Sequence, residues 1–107
     1  MSQKKRRTAV YARTAAGGPE ALDAQVDQAR ALVRDVPVVV YRDMNVPGFD
    51  TATPALAELL SDMEGGQVDE VIARDWTRFG RSLSQVERVR AVARSSGCRL
   101  RLVEDGP

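Results

Sequence analysis

The sequence predicts an α/β domain of three layers, α/β/α, built on a mainly parallel sheet of about four strands. Three observations carry that expectation. Short apolar or β-forming runs alternate with stretches in which apolar residues return every three to four positions. The runs are separated by chain breaks at Gly17-Gly18-Pro19, Val46-Pro47-Gly48 and Gly65-Gly66. A chain of 107 residues with 43% hydrophobic content fills one domain but not two. Strand and helix alternating at these lengths imply right-handed crossovers, and crossovers place helices on both faces of a parallel sheet.

Thr8 to Arg13 reads as the first strand, and Leu22, Val26, Ala29 and Val33 mark the helix that follows the glycine break. Pro37 to Tyr41, with its consecutive valines, has the unbroken apolar character of a strand buried on both faces. Leu56, Leu59, Leu60 and Met63 form the second helical stripe, which ends near Gly65-Gly66. Val68 to Ala73 supplies the third strand. Leu83, Val86, Val89 and Ala93 give the third helix before Gly97, and Cys98 to Val103 the fourth strand. The domain is expected over 8–107, preceded by a basic N-terminal arm at 1–7, and no internal repeat or linker interrupts it.

With 16 basic against 15 acidic residues the net charge is only +1, so any attraction to nucleic acid must come from clustered charge. The chain has no histidine, which removes the commonest acid–base group and the usual metal ligand. A lone Cys98 excludes an internal disulfide and reads as a small core residue. No apolar run approaches the ~18 residues of a membrane helix. The expectations are a cytoplasmic domain with no membrane partner, no cofactor and no metal. The Lys4-Lys5-Arg6-Arg7 run could track a DNA backbone, but reads first as a mobile solubilising arm. Gly17-Gly18-Pro19 lacks the glycine spacing of a nucleotide fingerprint and reads as a turn.

Ligands of open parallel sheets meet the carboxyl ends of the strands where strand order reverses. Arg13 follows the first strand, Asp43 the second, and the Arg74 to Arg81 segment the third, so charges distant in sequence should converge on one edge. Guanidinium groups stay charged and present paired planar donors, which suits them to a phosphodiester. On spacing alone, Arg78 and Arg81 fit equally well as cover for the first turn of a helix.

The order of several short motifs resembles the catalytic domain of the serine recombinases, the resolvase and invertase family. They are Tyr11-Ala12-Arg13-Thr14-Ala15, Gln25, Tyr41-Arg42-Asp43 leading to Gly48, Pro54-Ala55-Leu56, and Trp76-Thr77-Arg78-Phe79-Gly80-Arg81-Ser82. The resemblance implies a Rossmann-like fold and a reaction in which a serine two residues after the first arginine attacks DNA. The product is a covalent phosphoserine link, with arginines on the scissile phosphate and no cofactor. By the same resemblance Arg13, Arg78 and Arg81 match family arginines, Gln25 a glutamine and Asp43 an acidic loop residue.

The departures from that pattern are equally specific. Ala15 occupies the position of the nucleophile, Thr53 that of an arginine, Pro47 that of a serine and Thr77 that of an aspartate. Alanine has no oxygen to attack phosphorus, and losing a catalytic serine costs a protease on the order of 10⁶ in rate. Thr14 is the nearby hydroxyl, but in extended chain it points away from the face that residue 15 presents. Thr53 beside Ala15 reads as natural degeneration of the site rather than a single engineered change. The expectation is a recombinase-like domain, inactive in strand cleavage, that keeps a DNA-binding arginine cluster. Two alternatives stand: a non-catalytic protein-interaction or regulatory module, and an active subunit using Thr14 or a partner's groups. The resemblance also implies a long dimerisation helix and a DNA-binding domain beyond Glu104-Asp105-Gly106-Pro107, and the expectation is a chain without them. A monomer or weak homodimer with weak non-specific DNA binding is therefore expected, and a partner protein could use Val46 to Phe49.

Overall fold

A computed structural model describes residues 7–34, 36–44, 53–80 and 82–106. The elements run β1 Arg7–Arg13, α1 Pro19–Arg30, β2 Val38–Asp43, α2 Pro54–Glu64, β3 Val68–Ala73, α3 Leu83–Ser96 and β4 Arg99–Leu102. Short 3₁₀ turns lie at Trp76–Arg78 and Val103–Asp105. The strands form one sheet in the order β2-β1-β3-β4, and every neighbouring pair is parallel. The α/β architecture expected from the alternation is the one observed.

Alternation along β1 explains the three layers. Successive strand side chains face opposite sides of a sheet, so Ala9 and Tyr11 enter one apolar cluster while Val10 and Ala12 enter another. The first cluster is closed by Leu56, Leu59 and Met63 of α2 with Val89 and Ala93 of α3. The second is closed by Leu22, Val26 and Ala29 of α1 against Ile72 of β3. Burying a Leu or Val side chain contributes about 1.5–3 kcal/mol each, so these two seams hold the sheet between its helices.

Several sequence expectations are corrected. β2 is an edge strand of the described sheet, and its valines are half-buried rather than covered on both faces. An unbroken apolar run reports burial of the strand as a whole and carries no information on strand order. β2 also runs on to Asp43, which is its last residue and not part of the following loop. β4 is shorter than Cys98 to Val103, because Val103 enters a 3₁₀ turn. α1 stops at Arg30, and Val33 packs on the second cluster from the turn beyond it. Arg7, assigned to the basic arm, instead opens β1 opposite Val68. Lys4, Lys5, Arg6, Arg81 and the Val46 to Phe49 segment lie outside the described residues. Among the described residues no helix is long and apolar enough to cross a membrane.

α3 ends at Gly97, whose φ of 70° is left-handed and whose neighbour Cys98 donates its N–H back to the Ala93 carbonyl at 2.8 Å. Cys98 is buried as expected, and burial, with Asp69 and Glu70 nearby, pushes its thiol up to about 11. Among the described residues beyond its chain neighbours, nothing lies within 4 Å of where a Cβ on Gly97 would stand, so a side chain there meets chiefly backbone strain. Gly97→Ala should therefore cost about 1 kcal/mol in urea unfolding. A variant as stable as the parent would show that the left-handed turn does not end the helix.

Candidate functional site

The carboxyl ends of β1 and β3 are adjacent in the sheet, and they flank the point where successive crossovers depart in opposite directions. Arg13 closes β1 and Arg78 sits in the 3₁₀ turn after β3. The two arginines, 65 positions apart in sequence, brace each other through main-chain oxygens. Arg13 Nε donates to the Arg78 carbonyl at 2.8 Å, and its Nη2 donates to the Thr77 carbonyl. In return Arg78 Nη1 donates to the Arg13 carbonyl at 2.8 Å. Gln25 of α1 completes the joint: its Oε1 accepts the Arg13 N–H at 3.1 Å and its Nε2 donates to the Arg13 carbonyl at 3.0 Å.

Arg13 and Gln25 are both buried, so these bonds form away from competing water. Arg13 therefore directs much of its fork at the chain, where the sequence expectation had it gripping phosphate. Arg78 differs. Its Nε lies 3.4 Å from Asp75 Oδ1 and its Nη1 is bound to the Arg13 carbonyl, while Nη2 has no hydrogen-bond partner among the described residues. Its side chain is 23% exposed, so one edge of a well-positioned guanidinium meets solvent.

Asp75 was not singled out from sequence. Its carboxylate caps the turn by accepting the Thr77 N–H at 3.0 Å together with the Thr77 hydroxyl. Burial acts to raise its pKa, but the bonds from Thr77 and the charge of Arg78 outweigh burial and hold it below the usual carboxylate value. Asp75 thus stands beside Arg78 although Thr77 occupies the expected aspartate position. The Asp-x-Thr spacing, that of a side-chain-to-backbone turn, was the available signal.

Asp43, also buried, is the knot on the other flank. Its Oδ1 accepts the Ala55 N–H at 2.9 Å and its Oδ2 the Leu56 N–H at 3.1 Å, so it satisfies the first turn of α2 from another strand. Oδ2 also accepts the Tyr11 hydroxyl at 2.8 Å and the Thr53 hydroxyl. Thr53 is the N-cap of α2 yet makes no cap bond of its own, because its hydroxyl goes to Asp43. With both oxygens engaged, Asp43 acts as a remote helix cap. Tyr11 stacks on Phe79, centroids 5.7 Å apart and rings 10° from parallel, which ties this knot to the Arg78 turn.

Thr14 and Ala15 lie just past the end of β1 and differ in exposure. Thr14 is buried with its N–H on the Asp43 carbonyl at 3.0 Å, whereas Ala15 is exposed. The chain here offers a methyl group, and no hydroxyl, at the exposed position. Among the described residues no cluster of three or more His, Cys, Asp or Glu could hold a metal ion.

The family model "Resolvase, N terminal domain" matches residues 8–107. Among solved structures, the first open reading frame of transposon ISC1904 from Sulfolobus solfataricus P2 superposes with a TM-score of 0.75 at 21% identity. That match covers 90% of this chain and 66% of that one. The N-terminal catalytic domain of TP901-1 integrase gives a TM-score of 0.79 at 21% identity, over 94% of this chain and 78% of that one. The C-terminal catalytic domain of ISC1926 TnpA, an IS607-like serine recombinase, gives 0.77 at 26% identity, over 91% and 69%. No curated protein matches the chain.

Two outcomes follow from this geometry. Asp43→Asn turns one acceptor oxygen into a donor facing other donors and should destabilise the fold by about 3 kcal/mol in denaturant unfolding. A loss under about 0.5 kcal/mol would mean that α2 does not depend on this carboxylate. Burial lifts the Tyr11 hydroxyl above the usual tyrosine range; the Thr53 bond opposes that and Asp43 adds to it. A folded pKa above the unfolded value of about 10 contributes stability that is complete below pH ~10 and lost as the pH rises through the folded pKa. Tyr11→Phe should therefore show a shallower fall in melting temperature between pH ~9 and ~11 than the parent. An unchanged slope would place the alkaline loss elsewhere.

Proposed function

Because the chain belongs to the resolvase N-terminal domain family, we propose that it is a serine-recombinase-like domain that holds DNA phosphates at its strand ends and does not cleave them. The observation that carries this reading is Arg78: a guanidinium fixed by the Arg13 carbonyl and Asp75, with Nη2 unpaired among the described residues. A preorganised donor with an edge left over is what a phosphodiester oxygen requires. Arg74, exposed on the same segment, adds positive charge near it, and Arg81 is assigned to the same cluster by its place in the motif.

In this reading Arg13 orients Arg78 and holds the end of β1, and Gln25 orients Arg13. Asp43 and Thr53 fix the start of α2 and take no proton from substrate. Ala15 supplies no nucleophile. Burial of Thr14, with its N–H held by Asp43, argues against its hydroxyl standing in.

The test is a covalent-complex assay with nicked and intact duplex DNA on a denaturing gel. The expected result is no protein–DNA adduct, and Ala15→Ser alone should not restore recombination, since Thr53 still stands where the resemblance implies an arginine. An adduct formed by the unaltered chain and abolished by Thr14→Ala would overturn the inactive reading. Reversible binding is measured separately against salt. About three phosphate contacts should give a slope near −3 in log K against log salt, at roughly −0.9 per contact. Arg78→Ala should make that slope shallower by about 0.9 and weaken every DNA sequence alike. A sequence-dependent loss, or none, would remove Arg78 from the phosphate site.

A further inference from the structure

α3 opens on Ser82-Leu83-Ser84-Gln85, and Ser82 is its N-cap, accepting the Gln85 N–H on its hydroxyl at 3.2 Å. A serine followed three positions later by glutamine has the spacing of a reciprocal cap, in which the glutamine side chain reaches back to the serine N–H. Here only half of that arrangement exists. Gln85 is 1% exposed, and both its Nε2 and its Oε1 are buried without a hydrogen-bond partner among the described residues. The side chain is tucked beneath Gly80 so tightly that a Cβ on Gly80 would stand 2.4 Å from Gln85 Cγ. A side chain at this position leans toward the helix N-terminus, so the amide is directed at the start of α3, on the side where Gly80 lies.

An unpaired buried amide is costly, and a methionine of similar size would fill the same space without that cost. Above it, the first-turn N–H groups of Leu83 and Ser84 have no intrahelical acceptor. The Ser82 and Ser84 hydroxyls sit 3.2 Å apart and exposed at the same end. The helix is 14 residues long, and its aligned peptide dipoles favour negative charge here.

We propose that the N-terminus of α3 is a second phosphate seat, in which a phosphodiester oxygen takes the Leu83 and Ser84 N–H groups and the Gln85 amide donates from Nε2. The bound anion supplies the partner that the amide lacks in the free protein. This inference rests on the DNA reading above and adds to it a seat distinct from the Arg78 edge.

Sulfate is the probe, titrated at low ionic strength into the full chain and followed in ¹H–¹⁵N spectra. The backbone amides of Leu83 and Ser84 and the side-chain amide of Gln85 should shift together and saturate. Gln85→Met should bind sulfate at α3 at least about tenfold more weakly, the effect of one hydrogen bond to a charged group, while melting at a higher temperature than the parent. Gln85→Glu should lose the α3 response, since it sets a carboxylate against the anion. Arg78→Ala should leave the α3 shifts in place even where it weakens DNA binding, so failure of the Arg78 reading is separable from failure of this one. Static Leu83 and Ser84 amides in the parent would overturn the proposal. So would a Gln85→Met variant with unchanged affinity, or one that loses stability and affinity together, which would make Gln85 a packing residue.

Discussion

The reciprocal brace between Arg13 and Arg78 is the constraint on which the strand-end site depends. Parallel strands leave their carboxyl ends open, and a loop leaving β3 has no intrinsic reason to lie against the end of β1. Charge-assisted donors on Thr77, Arg78 and Arg13 carbonyl oxygens supply that reason. Bonds to an ionised donor are roughly twice as strong as neutral ones, and burial of Arg13 shields its half from water. Tyr11 stacked on Phe79 adds an apolar contact between the same two segments. The turn that carries Arg78 is thus capped locally by Asp75 and held against the end of β1 by the brace.

Residues of catalytic type serve here as structure. Asp43 has the chemistry of a general base, yet its oxygens are occupied by two backbone N–H groups and two hydroxyls. Gln25 has the chemistry of a substrate ligand, yet both ends of its amide hold the main chain of Arg13. The framework around the strand ends is therefore bound to itself, and none of these bonds uses the side chain of residue 15. Such self-satisfied polar joints also favour retention, since removing one member strands the others in a dry environment.

The layers were legible in sequence because burial imposes periodicity: Leu22, Val26 and Ala29 on one face, and Leu56, Leu59 and Met63 on the other, recur at helical spacing. The meeting of Arg13 and Arg78 was legible from topology alone. Strand order was not, since three valines in β2 read the same at an edge as in the middle of a sheet. Nor was the aim of the Arg13 fork, because main-chain carbonyls have no signature in sequence. Tyr11 looked like an ordinary strand residue, and only register and the course of α2 bring it to Asp43. Ser82 and Gln85 did carry a readable capping pattern, but that its return bond is missing is a fact of packing against Gly80.

Native-state hydrogen exchange in Arg13→Lys tests the brace most directly. Lysine keeps the charge but cannot present two planar donors to two carbonyls. The amides of Arg78 and Phe79, which bond to the carbonyls of Asp75 and Trp76 within the turn, report on it. Loss of the brace should make these two amides exchange at least about tenfold faster, about 1.4 kcal/mol of local stability, while amides in the centre of β1 and β3 keep their parent rates. Unchanged exchange at Arg78 and Phe79 would show that the turn holds its shape without Arg13.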